Sequence, residues 1–132
     1  MNHEEMIQIT IDGKPISKDN QSRARSRRGK FFTRPKFREY ADHVKYSAMD
    51  QYHGEPLEGD LFVLMIFYFK NKVHCDLCNL PKSICDALNG ITWKDDKQIK
   101  MAYLQIIYDP NPRVVININK MKVGETWTRK QL

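Results

Sequence analysis

DLFVLMIFYF, residues 60–69, is apolar on both alternating sets of positions, and its reading decides the architecture. Its length and its β-branched and aromatic content favour a strand over a buried helix. Apolar residues at both parities predict a central strand covered on both faces. The rest of the chain is arranged around it.

Upstream, Ile7, Ile9 and Ile11 alternate with Gln8, Thr10 and Asp12, the period-two pattern of a half-buried strand. Thr33 is placed as an N-cap, with Pro35 in the first turn of a helix. Phe37, Tyr40, Ala41, Val44, Ala48 and Met49 then recur at spacings of three and four, one apolar helical face. His53-Gly54-Glu55-Pro56 ends it. Downstream, Asn79 is placed to cap a second helix with Pro81 in its first turn, and Asn89-Gly90 is a stop signal. Gln98 to Tyr108 and Val114 to Met121 read as two further strands joined by DPNPR. The order β-α-β-α-β-β, without an internal repeat, predicts one α/β (α+β) domain over residues 1–132, a mixed sheet with two main helices.

Lys and Arg outnumber Asp and Glu by 22 to 16, a net charge of +6, which favours an anionic partner such as nucleic acid. The longest apolar run is far short of the roughly 20 residues of a spanning helix, so no membrane partner is expected. MNHEEMIQIT lacks the basic and apolar regions of a secretory signal, and three cysteines suit a reducing compartment. A cytoplasmic protein is expected. The basic excess is concentrated between residues 14 and 32, which read as a mobile basic loop. Lys14, Lys18, Arg23, Arg25, Arg27, Arg28, Lys30 and Arg34 are the candidate DNA contacts, because an arm of this kind reaches several phosphates and releases their counterions. Phe31 and Phe32 either stack on an unpaired base or anchor the arm to the core.

Against this basic background the acids gather in HCDLCNLPKSICDALNGITWKDDKQI, residues 74–99. Asp76 precedes the second helix, Lys82 and Asp86 lie one turn apart within it, and Asp95 and Asp96 precede the next strand. Two unit charges ~4 Å apart cost about 4 kcal/mol at an effective dielectric of about 20. Convergence therefore calls for a cation, and Mg²⁺, a hard ion that prefers oxygen, is the natural one. The bland alternative is that these are turn acids, with Lys82 and Asp86 a solvated pair.

The spacing is more specific than the cluster. Asp76-Leu77-Cys78-Asn79-Leu80-Pro81-Lys82, then Asp86-Ala87-Leu88-Asn89-Gly90, then Asp95-Asp96-Lys97-Gln98-Ile99 resembles the RusA family of Holliday-junction resolvases. Gly13-Lys14-Pro15, the basic stretch and a helix carrying Tyr40 fit the same pattern. The resemblance implies a small homodimeric, Mg²⁺-dependent endodeoxyribonuclease, common in phages and prophages, that makes paired symmetric nicks in four-way DNA junctions during recombination and repair. It implies Asp76 and Asp96 as catalytic metal-binding carboxylates, Lys82 as the essential lysine and Asp95 as a neighbouring metal group. Asn79 and Asp86 are motif positions shared with helix capping and local pairing.

Cys78 departs from the pattern, since the family usually writes a second metal-binding aspartate there. A thiol is a soft ligand poorly matched to Mg²⁺, which shifts the expectation toward Mn²⁺. Asp95 or Asp86 replacing the ligand, an impaired nuclease that still binds branched DNA, and a variant position all remain open. Cys75-x-x-Cys78 with His74 and Cys85 also spells a weak zinc pattern. A basic structural or RNA-binding module ranks last among the functional readings.

Overall fold

The computed structural model describes residues 6–17, 23–25, 31–33 and 35–122. Strand β1 (Met6–Asp12) buries Ile9 and Ile11 and half-buries Ile7, as the alternation requires. Helix α1 (Pro35–Gln51) buries Phe37, Tyr40, Val44 and Ala48. The expected stripe is narrower at its edges: Ala41 is half-buried and Met49 is exposed. These two sit where a face of spacing three and four turns away from the sheet.

Strand β4 (Leu61–Phe69) is central, as predicted. It pairs antiparallel with β6 (Arg113–Lys120) and parallel with β5 (Ile99–Tyr108), while β1 pairs antiparallel with β6. The order across the sheet is therefore β1-β6-β4-β5. The parallel β4–β5 step needs a crossover, supplied by α2 (Leu80–Leu88). Both helices enter one core: Tyr40, Val44 and Ala48 from α1 and Leu80, Ile84 and Leu88 from α2 pack with Val63, Met65, Phe67, Ile116 and Ile118. Trp93, fully buried, closes the end of this core and donates its indole N–H to Asn89 Oδ1 at 2.6 Å. Phe67 lies at its centre, so Phe67→Ala is expected to cost about 3–5 kcal/mol. A denaturant midpoint within error of the parent would contradict that placement.

One expectation is corrected. Among the described residues, β4 is fully buried on one face only: Leu61, Val63, Met65, Phe67 and Phe69 are buried, whereas Phe62, Leu64, Ile66 and Tyr68 are partly exposed. Both helices pack on the first face, and the second carries Met101 and Tyr103 beside Phe62 and Leu64. Hydrophobicity at both parities records two apolar faces without saying what covers the second.

Within the stretch expected as a loop, β2 (Arg23–Arg25) pairs antiparallel with β3 (Phe31–Thr33). Strands of three residues are too short for a periodicity to show. Lys18, Arg27, Arg28, Lys30 and Arg34 lie outside the described residues. The root of the stretch is anchored: Pro15 and Ser17 are buried, the Ser17 hydroxyl donates to Asn79 O at 3.2 Å, and Ser83 Oγ donates to Ile16 O at 3.3 Å. No helix among the described residues is long and apolar enough to cross a membrane.

Candidate nuclease site

The acidic positions are carried by the crossover between β4 and β5. After β4 the chain turns at residues 70–75, and Asp76 starts a 3₁₀ turn, Leu77–Asn79, that runs directly into α2. Asp76 stands at the N-cap position in extended conformation (φ −67°, ψ 146°), but its side chain caps nothing, leaving an exposed carboxylate. Cys78 is exposed within the turn. Asn79 occupies the N-cap position of α2 with helical φ and ψ, and its side chain makes no capping bond. What Asn79 contributes is its backbone carbonyl, the acceptor for Ser17.

Lys82 and Asp86 are both exposed on α2, one turn apart, and no ion pair joins them. The helix ends at Leu88, and Gly90 takes φ +83°, which a side chain would strain. Asp95 then caps a second 3₁₀ turn, Asp96–Gln98: its Oδ1 accepts the Lys97 N–H at 2.9 Å, while Gln98 Oε1 accepts the Asp95 N–H at 3.0 Å. This is a capping box. The same Gln98 donates from Nε2 to Leu57 O and Gly59 O, each at 2.9 Å, and so ties the turn to the segment before β4. Pairing with β4 begins irregularly, since Leu61 opposes Ile99 and Phe62 opposes Met101. The extra residue, Lys100, re-aims the start of β5 beside the acids.

Electrostatics groups some of these residues and not others. The Asp96 carboxyl is held above the usual range by burial, by its hydrogen bond with Asp95, and by the charges of Asp95 and Asp86. Asp95 moves the other way, held down first by the Lys97 N–H. Burial, with Asp96 and Asp86 nearby, pushes the Cys85 thiol up to about 12. Asp86, Asp95, Asp96 and the neutral Cys85 thus form one group at the C-terminal end of α2. Asp76 lies before the N-terminal end of the same helix and is not among the charges that raise Asp96. Nine helical residues correspond to about 13 Å. Among the described residues, no group of three or more His, Cys, Asp or Glu side chains is placed to hold a metal ion.

A raised folded-state pKa means that ionised Asp96 opposes folding. That cost is absent below the unfolded-state pKa, where the group is protonated in both states, and grows as pH rises through the folded value. Asp96→Asn is therefore expected to raise Tm at pH 7 in EDTA, with the gain vanishing at low pH. Melting curves of the two proteins check this, and a lower Tm for the variant at pH 7 would contradict it.

Two features were not anticipated in the sequence. Gln98 organises the acidic turn, although Asp95-x-x-Gln98 has the spacing of a capping box. His74 braces the loop before Asp76: its ring stacks on Phe69 with centroids 4.5 Å apart, Nδ1 bonds Cys75 O at 2.8 Å and Nε2 bonds Tyr108 Oη at 2.9 Å. These contacts occupy both ring nitrogens. Tyr40, an expected core residue, is buried with a hydroxyl that has no partner among the described residues, and burial beside Cys75 holds its phenol in the protonated form.

No curated protein matches the sequence. The family described as Endodeoxyribonuclease RusA matches over residues 12–119, which include both strands that flank the acidic crossover and every acid discussed above. With most of its length matched, the chain belongs to the RusA endodeoxyribonuclease family.

Proposed function

We infer that this protein is a Holliday-junction resolvase, cutting four-way DNA by phosphodiester hydrolysis with paired symmetric nicks, in recombination and repair. The observation that carries the reading is the family match over residues 12–119. The crowding of Asp96 by Asp95 and Asp86 supports it. Repulsion among carboxylates is what a divalent cation relieves, and their oxygens suit Mg²⁺ or Mn²⁺, whereas the Cys78 thiol does not suit Mg²⁺.

Asp76 and Asp96 are the proposed metal-binding carboxylates, with Asp95 beside Asp96. Because Asp76 stands before the opposite end of α2, an ion shared by both requires a second copy of the chain to bring them together. When bound, such an ion supplies activation of water and neutralisation of charge on the phosphoryl oxygens. Lys82, exposed on α2 between the two acidic positions in sequence, adds a positive charge for the same oxygens. Asn79 and Asp86 are supporting motif positions, Asn79 through the backbone carbonyl that accepts from Ser17 and Asp86 through the charge it adds near Asp96. Lys14 and the arginines of the basic stretch bind phosphates along the arms of the junction.

A homodimer completes the reading. Phe62, Leu64, Ile66 and Tyr68 give β4 a partly exposed apolar face that a second copy would cover. A two-fold dimer offers one site to each of two opposed strands of a nearly two-fold symmetric junction. The cytoplasm of a bacterial or phage-infected cell is the compartment in which such a substrate arises.

The test is a labelled synthetic four-way junction incubated with Mg²⁺ or Mn²⁺, with symmetric nicks as the expected product. An impaired nuclease that binds branched DNA is the second reading, favoured by Cys78 alone. Cys78→Asp separates the two: an increase in Mg²⁺-supported cleavage of about 10²-fold, the scale of one charge-stabilising group, marks the cysteine as an inhibitory departure. Unchanged cleavage means that other oxygens already serve.

A further inference from the structure

A cavity of about 350 Å³ opens beside the acidic crossover, lined by Lys14, Pro15, Ile16, Ser17, Lys36, Val73, His74 and Cys75. Its position is informative. Ser17 is the last described residue before Arg23 in the basic stretch, Lys36 lies in the first turn of α1 after that stretch, and Cys75 immediately precedes Asp76. The cavity thus lies between the root of the arm and the first acid of the motif.

Its walls are held from several directions. Lys14 Nζ donates to Val73 O at 3.1 Å, tying the 14–17 segment to the 70–75 loop. Ser17 and Ser83 bind the same segment to the start of α2, and Ser17 also hydrogen-bonds Cys75. His74 is clamped by Phe69, Tyr108 and its neighbour's carbonyl. Asn71 Oδ1 accepts the Val73 N–H at 2.9 Å and turns Val73 out to the rim, where it is 74% exposed. An exposed valine held in this way, with Lys14 and Lys36 also exposed, gives the opening an apolar lip between two cations.

We propose that this cavity receives one unpaired nucleotide of the branched DNA strand, with its base against Pro15, Ile16 and Val73 and its phosphate between Lys14 and Lys36. The inference rests on the junction-cleaving reading above and adds a substrate subsite to it. The volume lies at the lower end of ligand pockets, about 300–1,000 Å³, room for a nucleotide but not for a base pair. Lys14 uses one of its three N–H donors on Val73 O and keeps the others for an anion. A stacked duplex presents a base to such a hole only by unstacking and unpairing it, at about a few kcal/mol, a cost that falls at an exchange point where stacking is interrupted. Occupancy of the cavity therefore discriminates branched from continuous DNA and sets the register of the strand relative to Asp76.

The test uses full-length Asp96→Asn protein and four-way junctions carrying 2-aminopurine at successive positions beside the exchange point, with a matched duplex as control. Expected is a several-fold fluorescence rise at one position of the junction and none in the duplex, lost in Val73→Trp and weakened in Lys36→Glu. In parallel, alkylation of Cys75, mapped by mass spectrometry in mildly alkaline buffer, should slow at least fivefold when the junction is bound. A bound junction with no fluorescence rise at any position overturns the proposal and leaves the resolvase reading standing, even if Cys75 is shielded, because DNA then only crosses the mouth. Protection of Cys75 by a free deoxynucleoside monophosphate but not by the junction also overturns it. Failure to bind any junction removes the resolvase reading itself, and the subsite with it.

Discussion

Asp96→Asn is expected to lower junction cleavage by about a thousandfold while junction affinity stays within about threefold of the parent. The asymmetry follows from where Asp96 sits. It is half-buried, held by Asp95 and crowded by Asp86, so its charge serves the acidic turn. An amide preserves the shape and the bond with Asp95 but withdraws the negative oxygen. Gel shifts and single-turnover nicking on the same labelled junction separate the two effects. Substantial residual cleavage would place the chemistry elsewhere, and a parallel collapse of binding would mean that the turn, rather than the charge, had been damaged.

The second large effect belongs to the arm. Neutralising Arg23, Arg25, Arg27 and Arg28 together is expected to weaken junction binding and to reduce the slope of log affinity against log salt by about 3–4, since each phosphate neutralised contributes about 0.9. Arg23 and Arg25 lie on β2, paired with β3, so a short hairpin carries at least part of this charge. Arg27 and Arg28 fall between β2 and β3 in the sequence and lie outside the described residues. The measurement is a salt titration of binding for parent and variant. An unchanged slope would remove the arm from the DNA-binding surface, whatever happened to affinity at a single salt concentration.

The acidic turn shows how far the sequence could be read. Asp95 and Asp96 were visible as neighbours, and their spacing from Asp76, Lys82 and Asp86 was enough to suggest the family that the match over residues 12–119 establishes. That Asp95 caps the turn while Asp96 bears the raised pKa was not visible, because it depends on which carboxylate meets the Lys97 N–H and which is desolvated. The expected convergence of Asp76 with Asp96 shows the same boundary: the structure groups Asp96 with Asp86 and Asp95, and places Asp76 before the opposite end of α2.

Local patterns determined the six principal elements. The alternation in β1, the three-and-four spacing of α1, the apolar run of β4 and the stop at Gly90 are short-range preferences that neighbouring residues impose on the backbone. Tertiary structure alone decided the strand order β1-β6-β4-β5, the partly exposed face of β4 and the cavity between Ser17 and Cys75. Each depends on pairing and packing between residues far apart in the chain. A segment's own composition says which surfaces it must bury, but not which distant segment arrives to bury them.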